Sequence, residues 1–172
     1  RGIIKLGIDA CETSLASTAI QNLINSNEKF DLIITEFFNT DCILGFVHKF
    51  KTPLIQVCTF GGMSYMSDWL GNPHPYSHVP EHIFSTSDKL NFWERTLNTI
   101  IGTLIKLARR YIYLPGMDAV IKENFGFLED LPSINELEYS ISLLLLNTHF
   151  SIAHPRPFVP GILEVGGMHV LS

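Results

Sequence analysis

The sequence predicts an α/β fold, a Rossmann-like parallel sheet flanked by helices, and three observations predict it. Short apolar runs at residues 32–35, 54–58, 140–147 and 162–165 have the length and branched content of buried strands. Between them lie segments whose apolar residues recur at helical spacing. No composition break, internal repeat or low-complexity run divides the 172 residues. Strands alternating with helices therefore point to one α/β layer rather than two domains.

Residues 9–26 carry Leu15, Ala19, Leu23 and Ile24 at helical spacing, with Asp9, Thr13 and Ser14 as start signals. They read as one helix packed on the sheet. Residues 32–35 read as a strand buried on both faces. Glu36, Phe37 and Phe38 break that pattern, and Asn39, Thr40 and Asp41 are of the kind that cap a helix N-terminus. Ile43, Leu44, Phe46, Val47 and Phe50 then follow at helical spacing until Thr52-Pro53, because the residue before proline is pushed out of the α region. A second strand at 54–58 completes a span of about thirty residues, the size of one βαβ unit.

Beyond it, Gly61, Gly62, Met63, Ser64 and Tyr65 form a glycine-rich loop at a strand end, without the spacing of a phosphate-binding loop. Residues 71–80, GNPHPYSHVP, are predicted to be an ordered loop, and His74 and His78 in it have no nucleophile or acid at recognisable spacing. Residues 87–113 give the longest helical pattern, with Ser87 and Asp88 as its cap and Lys106, Arg109 and Arg110 in its closing turns, where cations suit the helix dipole. Leu114-Pro115-Gly116 is expected to break the chain before a short helix at 117–124. Residues 133–139 read as another short helix with Ser133 and Glu136 in capping-box spacing. The strand at 140–147, a proline-stiffened connection through Pro155, Pro157 and Pro160, and the strand at 162–165 follow.

In open α/β sheets ligands bind beyond the carboxyl ends of the strands. Those ends are residues 36–39 and 59–63. Glu36 closes an apolar strand without an evident local duty, whereas Asp41 in the first turn of a helix has one as a cap. Met63, Tyr65, Met66 and Trp69 are suited equally to lining an apolar pocket and to packing a helical start into the core.

With 46% hydrophobic and 17% charged residues the chain is too apolar to be disordered. A net charge of −5 and no basic cluster beyond Arg109-Arg110 argue against a nucleic-acid partner. Cys11, Cys42 and Cys58, odd in number and in apolar surroundings, read as buried thiols rather than a disulfide framework, and no metal-ligand spacing occurs. The sequence shows no signal-peptide pattern and no apolar run of membrane-spanning length.

FDLIITEFFNTDCILGFVHKFKTP at residues 30–53, NPHPYSHVP at 72–80, STSDKLNFWERTLNT at 85–99 and PRPFVPGILEVGGMHV at 155–170 together resemble the UDP-glycosyltransferases, the membrane-anchored animal type with an insect-like flavour. The likeness covers essentially the whole chain. It implies that residues 1–172 are part of the N-terminal, acceptor-binding domain of a GT-B enzyme, with early strands and the C-terminal donor domain outside the chain. It implies an inverting transfer of a hexose from a UDP-sugar to a hydroxyl of a small lipophilic acceptor, the UDP-sugar being a co-substrate held mainly by the donor domain, with no cofactor and no metal. A histidine base is paired in the family with a carboxylate at the first strand's end. Glu36 matches that position, but the segment is one residue longer than in vertebrate relatives, so Asp41 is its rival. None of the seven histidines matches the base. Phe37, Phe38, Asn39, Phe60, Met63, Tyr65 and Trp69 are the implied acceptor-binding residues. The resemblance also implies the luminal side of the endoplasmic reticulum membrane, an anchor outside this chain, and a homo-oligomer. The isolated chain is expected to be inactive, and a sheet lacking strands should expose an unpaired apolar edge. The alternatives are a non-catalytic module holding a lipophilic ligand, and an unrelated Rossmann-like nucleotide binder, against which the lack of G-x-G-x-x-G speaks.

Overall fold

The computed structural model describes residues 2–82, 89–151 and 153–170. Four parallel strands, β1 (Ile33–Glu36), β2 (Leu54–Cys58), β3 (Ile141–Leu146) and β4 (Ile162–Glu164), form one sheet in the order β1-β2-β3-β4. Ile33 pairs with Leu54, Ile55 with Leu143 and Leu144 with Ile162, the second pairing shifting register next to Leu54. The sheet is flanked by helices, the Rossmann-like α/β arrangement that the alternating pattern predicts.

The flanking elements are α1 (Gly2–Leu15), α2 (Thr18–Ile24), α3 (Leu44–Phe50), α4 (Ser64–Trp69), α5 (Phe92–Ala108), α6 (Leu114–Phe125) and α7 (Ile134–Leu137). α6 packs against α1, α3 and α7, and its Met117, Ile121 and Phe125 are completely buried. Gly45 of α3 permits that approach, since a Cβ there would lie 2.5 Å from the Phe125 ring. α3 ends as expected: Lys51 takes the left-handed conformation (φ 50°) and Thr52-Pro53 leads into β2.

Several local expectations are corrected. β1 is not buried on both faces: it lies at the sheet edge, and Leu32 and Ile34 (62% exposed) reach solvent. With Phe30 they leave the apolar row that the sequence reading anticipated for an unpaired edge. The expected helix at 9–26 is two helices, α1 starting at Gly2 and breaking before Ser17, the extended N-cap of α2. The cysteines are not all thiols. α1 crosses the 3₁₀ turn Asp41–Ile43, which brings the Cα atoms of Cys11 and Cys42 to 5.9 Å in a disulfide, and only Cys58 is free.

Leu114-Pro115-Gly116 does not break the chain either. A π-helical turn, Arg109–Tyr113, joins α5 to α6 and places Pro115 within the first two positions of α6, where its missing N–H is not needed. The predicted cap Ser87 and Asp88 lies outside the described residues. α5 starts at Phe92, where Asn91 and Glu94 form a reciprocal capping box. Ser133 and Glu136 form none: Ser133 offers only its carbonyl, and Asp118 Oδ1 accepts from Ile134 N–H at 3.0 Å. The proline loop at 71–80 is ordered from within. Asn98 of α5 donates to the carbonyls of Tyr76 and Val79 and accepts from Glu81 N–H, while Asn72 ties the loop to Pro157 and Val159.

Candidate active site

The turn after β1 and the turn after β2 meet at the carboxyl edge of the sheet. Phe37, Phe38, Asn39, Phe60, Met63 and Tyr65 line one cavity of about 290 Å³ there, with Ile4 of α1, Ile105 of α5 and Tyr113 on its remaining sides. Its lining is largely apolar, and Phe38 stands half-open at the surface. Two backbone features shape it. Asn39 adopts the left-handed region (φ 56°), which asparagine tolerates, and so turns the chain back under α1. Gly62 (φ 78°) makes the reversal that starts α4, where a Cβ would lie 3.1 Å from Leu146.

Six of the seven residues predicted for the acceptor are thus brought together. Trp69 is not. It packs edge-on against Phe37 (4.9 Å between centroids) and lines a different, more polar cavity with Lys106, Arg110 and Tyr139. Met66 is core. The helical start that could have lined a pocket or filled the core does both, one face each.

The two rival carboxylates occupy opposite environments. Glu36 ends β1 exposed to solvent, one residue from the cavity, and its Oε1 accepts a hydrogen bond from Thr59 Oγ1 at 3.3 Å. Asp41 is 1% exposed and is not a helix cap; no side-chain cap bond forms, and Thr40 Oγ1 donates back to the Glu36 carbonyl instead. Arg109 Nη2 donates to Asp41 Oδ1 at 2.6 Å and Tyr113 Oη donates to Oδ2 at 2.5 Å. Both carboxylate oxygens are engaged.

Arg109 closes α5 as expected, but it serves more than the helix dipole: it is 8% exposed, and its Nε donates to Glu138 Oε1 at 3.1 Å while Nη2 bonds the same oxygen. The rings of Tyr65, Tyr113, Phe37 and Trp69 surround its guanidinium at 4.5 to 5.7 Å. Burial opposes its charge, but Asp41 and Glu138 hold it protonated and raise it above the usual arginine range. One cation serves two acids, so burial together with the Asp41 charge raises Glu138 above the usual carboxylate range. Burial, then the Asp41 charge and hydrogen bond, push the Tyr113 hydroxyl up, so it stays a donor. No local signal marks this cluster, because its hydrogen-bonded partners lie 29 to 72 residues apart in the chain.

His78 is exposed and bonds Ser77. His74 has both ring nitrogens buried and without hydrogen-bond partners, and burial, then Arg156, lower it to about 4. Burial raises the Cys58 thiol. Among the described residues no group of three His, Cys, Asp or Glu could hold a metal ion, and no helix is long and apolar enough to cross a membrane. Chemically, the edge offers an apolar cavity for a small molecule and a solvated carboxylate beside it. A carboxylate so placed is suited to orienting a partner base rather than to acting alone.

Residues 3–172 match the sequence profile described as UDP-glucoronosyl and UDP-glucosyl transferase. The chain is 33% identical over 171 residues to UDP-glucosyltransferase 2 of Dactylopius coccus, covering 99% of this chain and 32% of that protein. It is 31% identical over 159 residues to UDP-glucuronosyltransferase 3A1 of Xenopus laevis, covering 92% and 29%. With 2-hydroxyacylsphingosine 1-beta-galactosyltransferase of Rattus norvegicus it shares 28% identity, covering 92% and 28%. The chain spans about a third of the length of these relatives. No solved structure matches it significantly.

Proposed function

Because the chain belongs to the UDP-glucoronosyl and UDP-glucosyl transferase family, we propose that it forms part of the N-terminal acceptor-binding domain of a GT-B UDP-glycosyltransferase. The full-length protein moves a hexose from a UDP-sugar to a hydroxyl of a small lipophilic acceptor, with inversion and without a cofactor. The apolar cavity at the carboxyl ends of β1 and β2 supports the acceptor assignment, since lipophilic ligands are held by such linings with few polar groups.

The observation that carries the reading is the contrast between Glu36 and Asp41. Asp41 is spent on Arg109 and Tyr113, whereas Glu36 is open at the cavity's edge. Glu36 therefore partners the imidazole of a histidine supplied by the rest of the protein. That histidine takes the acceptor's hydroxyl proton; the oxygen bonds to the anomeric carbon as the bond to the UDP oxygen breaks, and UDP leaves with the electron pair. Glu36 holds the ring's tautomer and stabilises the imidazolium as it forms. The Cys11–Cys42 disulfide supports an oxidising compartment, in line with the endoplasmic reticulum lumen. Membrane attachment falls to a segment beyond these residues, and the exposed row on β1 offers an edge for further strands or a second copy.

The test is transfer from UDP-glucose to a phenolic acceptor by the full-length protein. Turnover that Glu36→Gln lowers by about 10³–10⁴-fold, as loss of a triad carboxylate does, with an unchanged melting temperature, is the expected result. Acceptor binding without turnover in the unsubstituted protein would replace this reading with that of a lipophilic-ligand-binding module.

A further inference from the structure

A second cavity, of about 280 Å³, lies on the other side of the turn after β2, and its chemistry is the reverse of the first. Gly61 follows β2, Thr148 follows β3, His154 and Arg156 come from the β3–β4 connection, and Glu81 and His82 close the proline loop. It too sits at the carboxyl edge of the parallel sheet, where α/β folds take their ligands. Only the turn at residues 60–61 separates the two spaces: Phe60 lines the apolar cavity, Gly61 the polar one, and the His82 ring packs edge-on against Phe60 at 5.0 Å.

Arg156 is the unusual member. It is largely withdrawn from solvent, and burial lowers it below the usual arginine range. Its Nη2 donates to the Gly61 carbonyl, which fixes the guanidinium against the glycine turn, and the Phe158 ring lies 5.1 Å away. Among the described residues no carboxylate stands within ion-pair distance of it. Arg109, more deeply buried, is served by two carboxylates at ion-pair distance, whereas half-buried Arg156 has none. A guanidinium has five N–H donors, and one bond to a carbonyl leaves most of them free; Glu164 and Glu81 act on its charge only from beyond ion-pair distance. Glu81 also faces the cavity, but its Oε1 has no hydrogen-bond partner, lies against α5 at 2.8 Å from where a Cβ on Gly102 would stand, and makes no ion pair with Arg156. A partly desolvated cation with no carboxylate at hydrogen-bond distance gains from an anion that reaches its free N–H groups.

We propose that this cavity is an oxyanion subsite in which Arg156, assisted by His82, His154 and the Thr148 hydroxyl, binds an oxyanion of the sugar-nucleotide donor. The inference rests on the transferase reading. The apolar cavity holds the acceptor and the polar one the donor's charged end, on the two faces of one turn, so that hydroxyl and anomeric carbon meet across Phe60 and Gly61. During transfer the carbon–oxygen bond to the diphosphate breaks with its electrons on the phosphate oxygen, and a fixed guanidinium there opposes the growing negative charge. The oxyanion is either the diphosphate or the carboxylate of a uronyl sugar.

The full-length protein, as Arg156→Gln and Arg156→Lys, separates these possibilities. Arg156→Gln is expected to raise KM for UDP-glucose roughly 10- to 100-fold, the range for one charge-assisted hydrogen-bonded contact, with the acceptor KM and melting temperature unchanged. Arg156→Lys, which keeps the charge but not the fork, should fall between and supplies the reading if the glutamine variant does not fold. Equal losses with UDP-glucose and UDP-glucuronate assign the diphosphate; a loss confined to UDP-glucuronate assigns the sugar carboxylate. An unchanged KM for both donors, or an equal rise for the acceptor, overturns the proposal. Calorimetric titration with UDP and with UDP-glucuronate keeps it apart from the transferase reading: weaker binding of either on Arg156→Gln in a protein without turnover sinks the transferase reading alone, and turnover with binding of both indifferent to Arg156 sinks the subsite alone.

Discussion

Arg109 Nη2 stands 2.6 Å from Asp41 Oδ1, both groups withdrawn from solvent, in a box of four aromatic rings. The pair ties the turn after β1 to the π-helical turn between α5 and α6. Removing one partner of a buried ion pair costs roughly 3–5 kcal/mol. Glu138 stays beside Arg109, so Asp41→Asn should cost about 3 kcal/mol, at the low end of that range. Urea denaturation checks it. Residual turnover of the folded fraction should be close to normal; a folded Asp41→Asn protein without turnover would transfer the dyad role to Asp41.

Glu36 should behave in the opposite way. It is exposed at a strand end with one side-chain hydrogen bond among the described residues, so Glu36→Gln should leave the unfolding free energy within about 0.5 kcal/mol of the original. Its whole effect should appear in kcat. The comparison of the two variants, one losing fold and one losing rate, is more informative than either alone.

The Cys11–Cys42 bridge closes a loop over a sequence separation of 31 residues. For that length the chain-entropy estimate is about 3–4 kcal/mol. Reduction with dithiothreitol, or Cys11→Ser with Cys42→Ser, should lower the melting temperature of the oxidised protein accordingly. Because α1 supplies Ile4 to the apolar cavity, acceptor binding should weaken in parallel. An unchanged melting temperature after reduction would show that the bridge does not restrain α1.

His74 sets an acid limit. Burial, then the Arg156 charge, lower it to about 4, against about 6.5 in an unfolded chain. Below 6.5 the unfolded state takes up a proton that the folded state refuses until about 4. Stability from this group is therefore complete above pH 6.5 and falls as pH drops through that window, by on the order of 2 kcal/mol after discounting for partial exposure. His82, lowered by burial and then Arg156, acts with the same sign. Unfolding free energies from urea titrations at pH 7.5 and pH 5 should differ by somewhat more than half of this amount, and His74→Leu should flatten the difference.

The composition of single segments decided a good part of the molecule. Branched apolar runs placed β2, β3 and β4 to within a residue or two, and Pro53 fixed the end of α3. Since parallel strands place their ligand sites at carboxyl ends, the sequence also led to the turns where Glu36, Phe37, Phe60 and Met63 gather. What it could not decide was partnership. Asp41 reads as a helix cap until Arg109, 68 residues later, is folded against it, and Arg109 reads as a cation suited to a helix dipole until the π turn places it between two carboxylates. Cys11 reads as a thiol until α1 crosses the turn that bears Cys42. Periodicity records how deeply a side chain is buried relative to its own helix or strand; which distant group then meets it depends on how the elements close on one another, and only the tertiary structure decided that.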